Sequence, residues 1–149
     1  GISWHTTNKQ FGPERNIDLD LFSPILKNKN YNFLNLQYGN HEIEIKKLEA
    51  QLSRKLFLNH DNDNLHDING LATNINKCDL ILSIDNSTVH LSGFLNKDTF
   101  LLLPFVSDWR WQQTRTDTPW YQNVKLFRQS KRHDWSNVIQ NVLEAIEAE

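Results

Sequence analysis

The sequence predicts a three-layer, Rossmann-like α/β domain with a mainly parallel sheet of about six strands. Short β-prone apolar runs alternate along the chain with segments whose apolar residues recur at helical spacing. Two runs, Leu80 to Ile84 and Phe100 to Leu103, are almost continuously apolar, as strands covered on both faces require. Strands separated by helices pair in parallel through right-handed crossovers.

The elements follow in order. Ile2 to Trp4 reads as a short strand. Asp18 or Asp20 caps a helix carrying Leu21, Phe22, Ile25 and Leu26, and Pro24 restricts that helix to a late start because proline suits only a first turn. Tyr31 to Tyr38 reads as a strand. Asn40 caps a helix with Ile45, Leu48 and Leu52 on one face, and Lys55 to Leu58 is the next strand. Ile68, Leu71, Ala72 and Ile75 form one face of an amphipathic helix. After the strand ending at Ile84, Asn86 to Leu95 reads as a helix, with Gly93 placed for close approach to the sheet. Pro104 stops the strand begun at Phe100. Val124 to Phe127 is the last strand, and Asp134 caps a final helix carrying Trp135, Val138, Ile139, Val142 and Ile146.

At 149 residues the chain suffices for one domain with its own core, and nothing marks an internal linker or repeat. A net charge of -2 lacks the basic excess of a dedicated nucleic-acid binder. The apolar runs are too short to span a bilayer, and no signal-peptide pattern opens the chain. The single cysteine, Cys78, has no partner for an internal disulfide, which fits a reducing, cytoplasmic setting and a buried free thiol. The absence of methionine and the opening directly on Gly1-Ile2-Ser3-Trp4 suggest a domain excised from a larger protein.

Ligands of open parallel sheets bind beyond the carboxyl ends of the strands, at the switch in strand order. The residues there are polar: His5 to Lys9 and Arg15 after the first strand, Gln37 after the second, Asn59 to Asp61 after the third, and the stretch beyond Pro104 after the fifth. The most informative segment is Ser83-Ile84-Asp85-Asn86-Ser87-Thr88-Val89-His90-Leu91. A carboxylate ends a buried strand, and a helix opens at once with small polar residues. First-turn amides and the helix dipole suit a phosphate there, with His90 within reach and Asp85 suited to sugar hydroxyls. Simple N-capping by Asp85 or Ser87 accounts for the segment equally well. Lys9 and Arg15 flank a loop that can bring cations to a diphosphate, although such residues are commonly solvated surface.

Other signals point away from competing chemistries. Neither a glycine-rich dinucleotide fingerprint nor a phosphate loop is present. The run His60 to Asp67 invites a metal reading but departs from the calcium loop, with Leu65 and His66 where an oxygen ligand and a glycine are needed, so no metal site is expected. Asp108-Trp109-Arg110-Trp111 and Pro119-Trp120-Tyr121 occupy the longest irregular stretch. Stacking on a sugar or base, packing against another domain, and a local aromatic core all fit them.

Taken together, the segments Gly1-Ile2-Ser3-Trp4, Leu80 to Gly93, Leu102 to Trp111, Pro119-Trp120-Tyr121 and Leu126-Phe127-Arg128-Gln129 resemble the C-terminal domain of heptosyltransferase-like glycosyltransferases (family nine), of the kind attached to tetratricopeptide repeats. The resemblance implies the donor-binding half of a two-Rossmann-domain enzyme, holding a nucleoside-diphosphate sugar for inverting, metal-independent transfer. Asp85 and His90 match the family's Asp-Thr-Gly-x-x-His segment, while Asn86 and Ser87 replace its Thr and Gly. The catalytic base is expected from a preceding Rossmann domain, so this chain alone should not turn over. The candidate donor-binding set is Lys9, Arg15, Gln37, Asp85, Asn86, Ser87, Thr88, His90, Asp108 and Arg110, with no catalytic residue, metal or cofactor besides the donor. A degenerate interaction module of a repeat protein is the alternative, and a two-domain nucleotide-sugar epimerase a third.

Overall fold

The structure, a computed structural model, describes residues 1–58 and 62–148. Four strands form one ladder: β1 (Ile2–Ser3), β4 (Ile81–Ile84), β5 (Thr99–Leu103) and β6 (Val124–Arg128), in the order β1-β4-β5-β6. Every pairing in it is parallel, with Leu82 opposite both Ile2 and Phe100. The expected apolar runs therefore form the middle of the sheet, and each residue of β4 and β5 is buried.

The other two strands, β2 (Phe33–Leu34) and β3 (Phe57–Leu58), form a separate two-stranded parallel ladder. A single bridge between Ile2 and Asn35 lies between the ladders, and the Leu36 amide donates to the Ile2 carbonyl at 2.9 Å. The principal sheet thus has four strands rather than about six. The segment from Tyr31 to Tyr38 contributes only two residues to a ladder because side chains take over its backbone. Asn35 accepts from the Gln37 amide, and Asn64 donates to the carbonyls of Asn35 and Gln37.

Helices cover both faces. Between β1 and β2 the chain makes a single turn, α1 (Gly12–Arg15), a 3-10 turn at Leu19–Phe22, and α2 (Ser23–Leu26). Pro24 stands in the first turn of α2, the one place its missing N–H does no harm. The single helix expected here is broken into two turns. Phe22, Ile25 and Leu26 are buried, whereas Leu21 is partly exposed.

Next come α3 (Glu42–Leu52), α4 (Ile68–Asn76), α5 (Ser87–Phe94) and α6 (Ser136–Glu147). Asn40 accepts from the Glu42 amide, Asp67 from Gly70 and Asp134 from Ser136, so carboxylates and amides sit where helix starts need acceptors. In α4 only Leu71 and Ile75 of the expected face are buried, and Ile68 faces solvent.

Alternation along β5 divides the core. Phe100 and Leu102 pack with Phe22, Ile25 and, from α6, Val138 and Val142. Leu101 and Leu103 face the opposite way, onto Val89, Trp111, Val124 and Leu126. Burying such side chains contributes roughly 1.5–3 kcal/mol each.

Gly93 does not serve approach to the sheet. A Cβ there would lie 2.4 Å from the Tyr121 ring, so the missing side chain makes room for that ring. Cys78 is a buried free thiol that donates to the Asn74 carbonyl. No helix among the described residues is long and apolar enough to cross a membrane.

Candidate functional site

The carboxyl ends of β1, β4 and β5 meet at the neighbouring pair β1 and β4, where the chain order changes. The loop after β1 brings Arg15, the turn after β4 brings Asp85, and the loop after β5 brings Asp108 and Arg110. Arg15 pairs through one Nη with the Asp85 carboxylate at 3.0 Å and donates through the other to the Asp85 carbonyl at 3.2 Å. It also stands 3.5 Å from the Asp108 carboxylate, which reaches Arg110 at 3.2 Å. The result is an alternating row, Asp85–Arg15–Asp108–Arg110, whose formal charges cancel.

The row is held from beneath. Asp85 is 2% exposed, so an unpaired charge there would carry a heavy desolvation cost, and Arg15 offsets it. Asp108 accepts from the Arg110 amide and thereby caps the 3-10 turn Trp109–Trp111. Asn86 caps α5 by accepting from the Thr88 amide at 3.0 Å. Its Nδ2 donates to Ser3 Oγ at 2.8 Å and to the His5 carbonyl, tying the start of α5 to the end of β1.

His90, one turn into α5, faces the same row. Its Nε2 lies 3.9 Å from Asp85 Oδ1, and its Nδ1 is 3.0 Å from the Tyr121 hydroxyl. Trp111 stacks on its ring at 5.4 Å between centroids, and Tyr121 meets it edge-on. Burial among these aromatics pushes the His90 pKa below its ordinary 6.5, although Asp85 opposes the shift. At neutral pH the imidazole is therefore uncharged and able both to donate and to accept.

Five of the expected residues come together here: Arg15, Asp85, His90, Asp108 and Arg110. Asn86 joins them as a cap and a tie. Thr88 is buried, with its amide engaged by Asn86 and its hydroxyl lacking a partner among the described residues. Ser87 is exposed at the first position of α5. Lys9 is solvent-exposed and makes no ion pair among the described residues.

Gln37 has a different role from that expected. It is 4% exposed, and its Oε1 accepts from the amides of Trp4 and His5 while its Nε2 donates to the carbonyls of His5 and Tyr38. Both ends of the amide are spent clamping the chain where it leaves β1, so Gln37 is structural. Arg15, expected as a free cation for phosphate, is shared between two carboxylates because it is the group that neutralises buried Asp85.

Sequence reasoning missed the packing of Tyr121 and Trp111 around His90. The only available signal was their aromatic type within the irregular stretch, which also carries Trp109 and Trp120. The metal reading of His60 to Asp67 falls partly on His60 and Asp61, outside the described residues. Among those described, no cluster of His, Cys, Asp and Glu has metal-binding geometry. Away from this row, an open cleft of about 510 Å³ lies at the ends of β2 and β3, lined by Tyr38, Glu42, Lys46, Phe57 and Asn64 among others. Its amides of Gln37 and Asn64 are already bonded within the protein.

The chain is similar to Protein FlbA of Caulobacter vibrioides. The two are 27% identical over 139 residues, which is 93% of this chain and 22% of FlbA. The chain thus spans about a fifth of that relative's length. No family profile matches the chain, and no solved structure matches it at a significant level.

Proposed function

We propose that this domain binds a nucleoside-diphosphate sugar at the β1/β4 edge and is the donor-binding half of an inverting, metal-independent glycosyltransferase. The observation that carries the reading is the convergence of Arg15, Asp85, Asp108 and Arg110, from the connections after three strands, with His90 of α5 around the N-terminus of that helix. In parallel α/β sheets that edge is where nucleotides bind. We read the two ladders, joined at the Ile2–Asn35 bridge, as one sheet of Rossmann order β3-β2-β1-β4-β5-β6.

The chemistry divides simply. The start of α5 favours negative charge, and Arg15 and Arg110 stand close enough to stabilise a departing nucleoside diphosphate. Asp85 and Asp108 accept from sugar hydroxyls, and neutral His90 serves either way. During transfer the anomeric C–O bond to the diphosphate breaks and the acceptor oxygen forms the new bond from the opposite face. Its proton goes to a base supplied from outside this chain, in a preceding Rossmann domain of the parent protein. The resemblance to family nine glycosyltransferases, including forms joined to tetratricopeptide repeats, supports the same reading, and we place the domain in the cytoplasm, where a free thiol such as Cys78 stays reduced.

The test is calorimetry with UDP, ADP, GDP, CDP and dTDP and their common hexose conjugates. Binding of at least one at micromolar to millimolar concentration, weakened by Arg110→Ala, is expected. Failure of every one at millimolar concentration overturns the proposal. The internal charge balance of the row favours a second reading, an interaction module that binds no nucleotide, and that outcome would select it.

A further inference from the structure

The loops that build the row also present two tryptophans to solvent. Trp111 and Tyr121 turn inward around His90, whereas their neighbours Trp109 and Trp120 turn outward, 70% and 56% exposed. The outward pair is held by specific contacts. The indoles meet edge to face at 6.2 Å, the Trp120 Nε1 donates to the Arg110 carbonyl at 3.1 Å, and the Arg110 guanidinium lies 5.7 Å over the Trp109 ring. Large apolar surface held rigid in water marks a binding surface.

We infer that Trp109 and Trp120, set nearly perpendicular at 83°, form a corner whose exposed indole face takes the apolar face of a neutral pyranose ring, with the ring's hydroxyls reaching Asp108 and Arg110. The charge pattern selects this occupant. Because the charges of the alternating row cancel in pairs, the row itself gives little net attraction to a bare anion or a bare cation. It offers a neutral polyhydroxylated ligand both acceptors and donors within one ring's width. Arg110 adds a buried Nε that has no partner among the described residues. A sugar ring has an apolar C–H face for an indole and a rim of hydroxyls for the row. A nucleobase would stack equally well but would leave the paired carboxylate and guanidinium of Asp108 and Arg110 poorly used. The corner goes beyond the nucleotide reading, since it holds a saccharide that carries no diphosphate.

The experiment is NMR of the indole N–H signals together with tryptophan fluorescence. The probes are methyl glycosides of glucose, galactose, mannose and N-acetylglucosamine, and maltotriose. A parallel arm uses UDP and ADP without sugar. The expected result is saturable change of the Trp109 and Trp120 signals with at least one saccharide, insensitive to salt. Trp109→Ala or Trp120→Ala should weaken it roughly tenfold, about the worth of one aromatic stacking contact. Both residues are exposed, so the variants keep the fold, checked by circular dichroism, and Trp120→Phe should retain most binding. No response to any saccharide at high millimolar concentration overturns the inference. So does a dimer, seen by sedimentation and abolished by Trp109→Ala, without saccharide binding. The nucleotide arm reports on the diphosphate reading separately, so either proposal can fail alone.

Discussion

Arg15 and Asp85 lie 70 residues apart in sequence and meet at 3.0 Å, where the guanidinium holds both the carboxylate and the backbone carbonyl of a nearly inaccessible aspartate. That pair joins the loop after β1 to the turn after β4. It makes the site a structural joint as well as a candidate binding surface.

Removing the cation alone should therefore be costly. Arg15→Ala leaves Asp85 buried and unpaired, and a loss of about 3–5 kcal/mol is expected, measured by urea denaturation at neutral pH. Replacing both partners, as Arg15→Met with Asp85→Leu, should recover a large part of that loss. Equal instability of the single and double variants would remove the pair from its structural role.

Gly93→Ala should destabilise by about 1–3 kcal/mol through overpacking, because the new methyl meets the Tyr121 ring. The same substitution in a Tyr121→Ala background should be nearly neutral, since the obstacle is gone. The interaction energy of this cycle, read from thermal or chemical unfolding, tests whether Gly93 exists to seat Tyr121 against His90.

Gln37→Leu keeps the volume but deletes three hydrogen bonds to the chain leaving β1 and one to the Tyr38 carbonyl. Orphaned buried groups predict a loss of about 2–4 kcal/mol. Because the amide is fully used within the protein, the intact Gln37 Nε2 resonances should not move on addition of any ligand that binds at Asp85. Movement larger than that of neighbouring core amides would return Gln37 to the binding surface.

His90 and His5 both have pKa values lowered chiefly by burial. Above 6.5 each is neutral folded and unfolded, and the native state keeps its full stability. As the pH falls below 6.5 the unfolded chain takes up protons first, so stability declines until the folded pKa is reached. His90→Phe should flatten that decline, and a proton-detected titration of wild-type His90 should give a midpoint below 6.5. A midpoint at or above 6.5 would contradict the burial argument. Anion binding at the start of α5 should raise it.

Much of the fold was legible from sequence because burial leaves a local pattern. Continuous apolar runs identified β4 and β5, helical spacing identified α3, α4 and α6, and Asp85-Asn86-Ser87 announced the start of α5. These signals arise within ten residues or so of chain, where side-chain direction follows directly from backbone period. The polar loops after β1, β2, β4 and β5 are likewise recognisable as one edge, which places Arg15, Asp85, His90, Asp108 and Arg110 in one candidate set with Lys9, Gln37, Asn86, Ser87 and Thr88.

What those residues do with one another was decided only in three dimensions. Arg15 is committed to two carboxylates, Gln37 is spent on the backbone, and Gly93 yields to Tyr121, all through contacts between residues 28 to 93 positions apart in sequence. β2 is short because amides of Asn35 and Asn64 outcompete ladder pairing. A sequence states which groups a chain owns. Desolvation makes each buried group take a partner, and the tertiary structure selects that partner from the groups brought within about 3 Å.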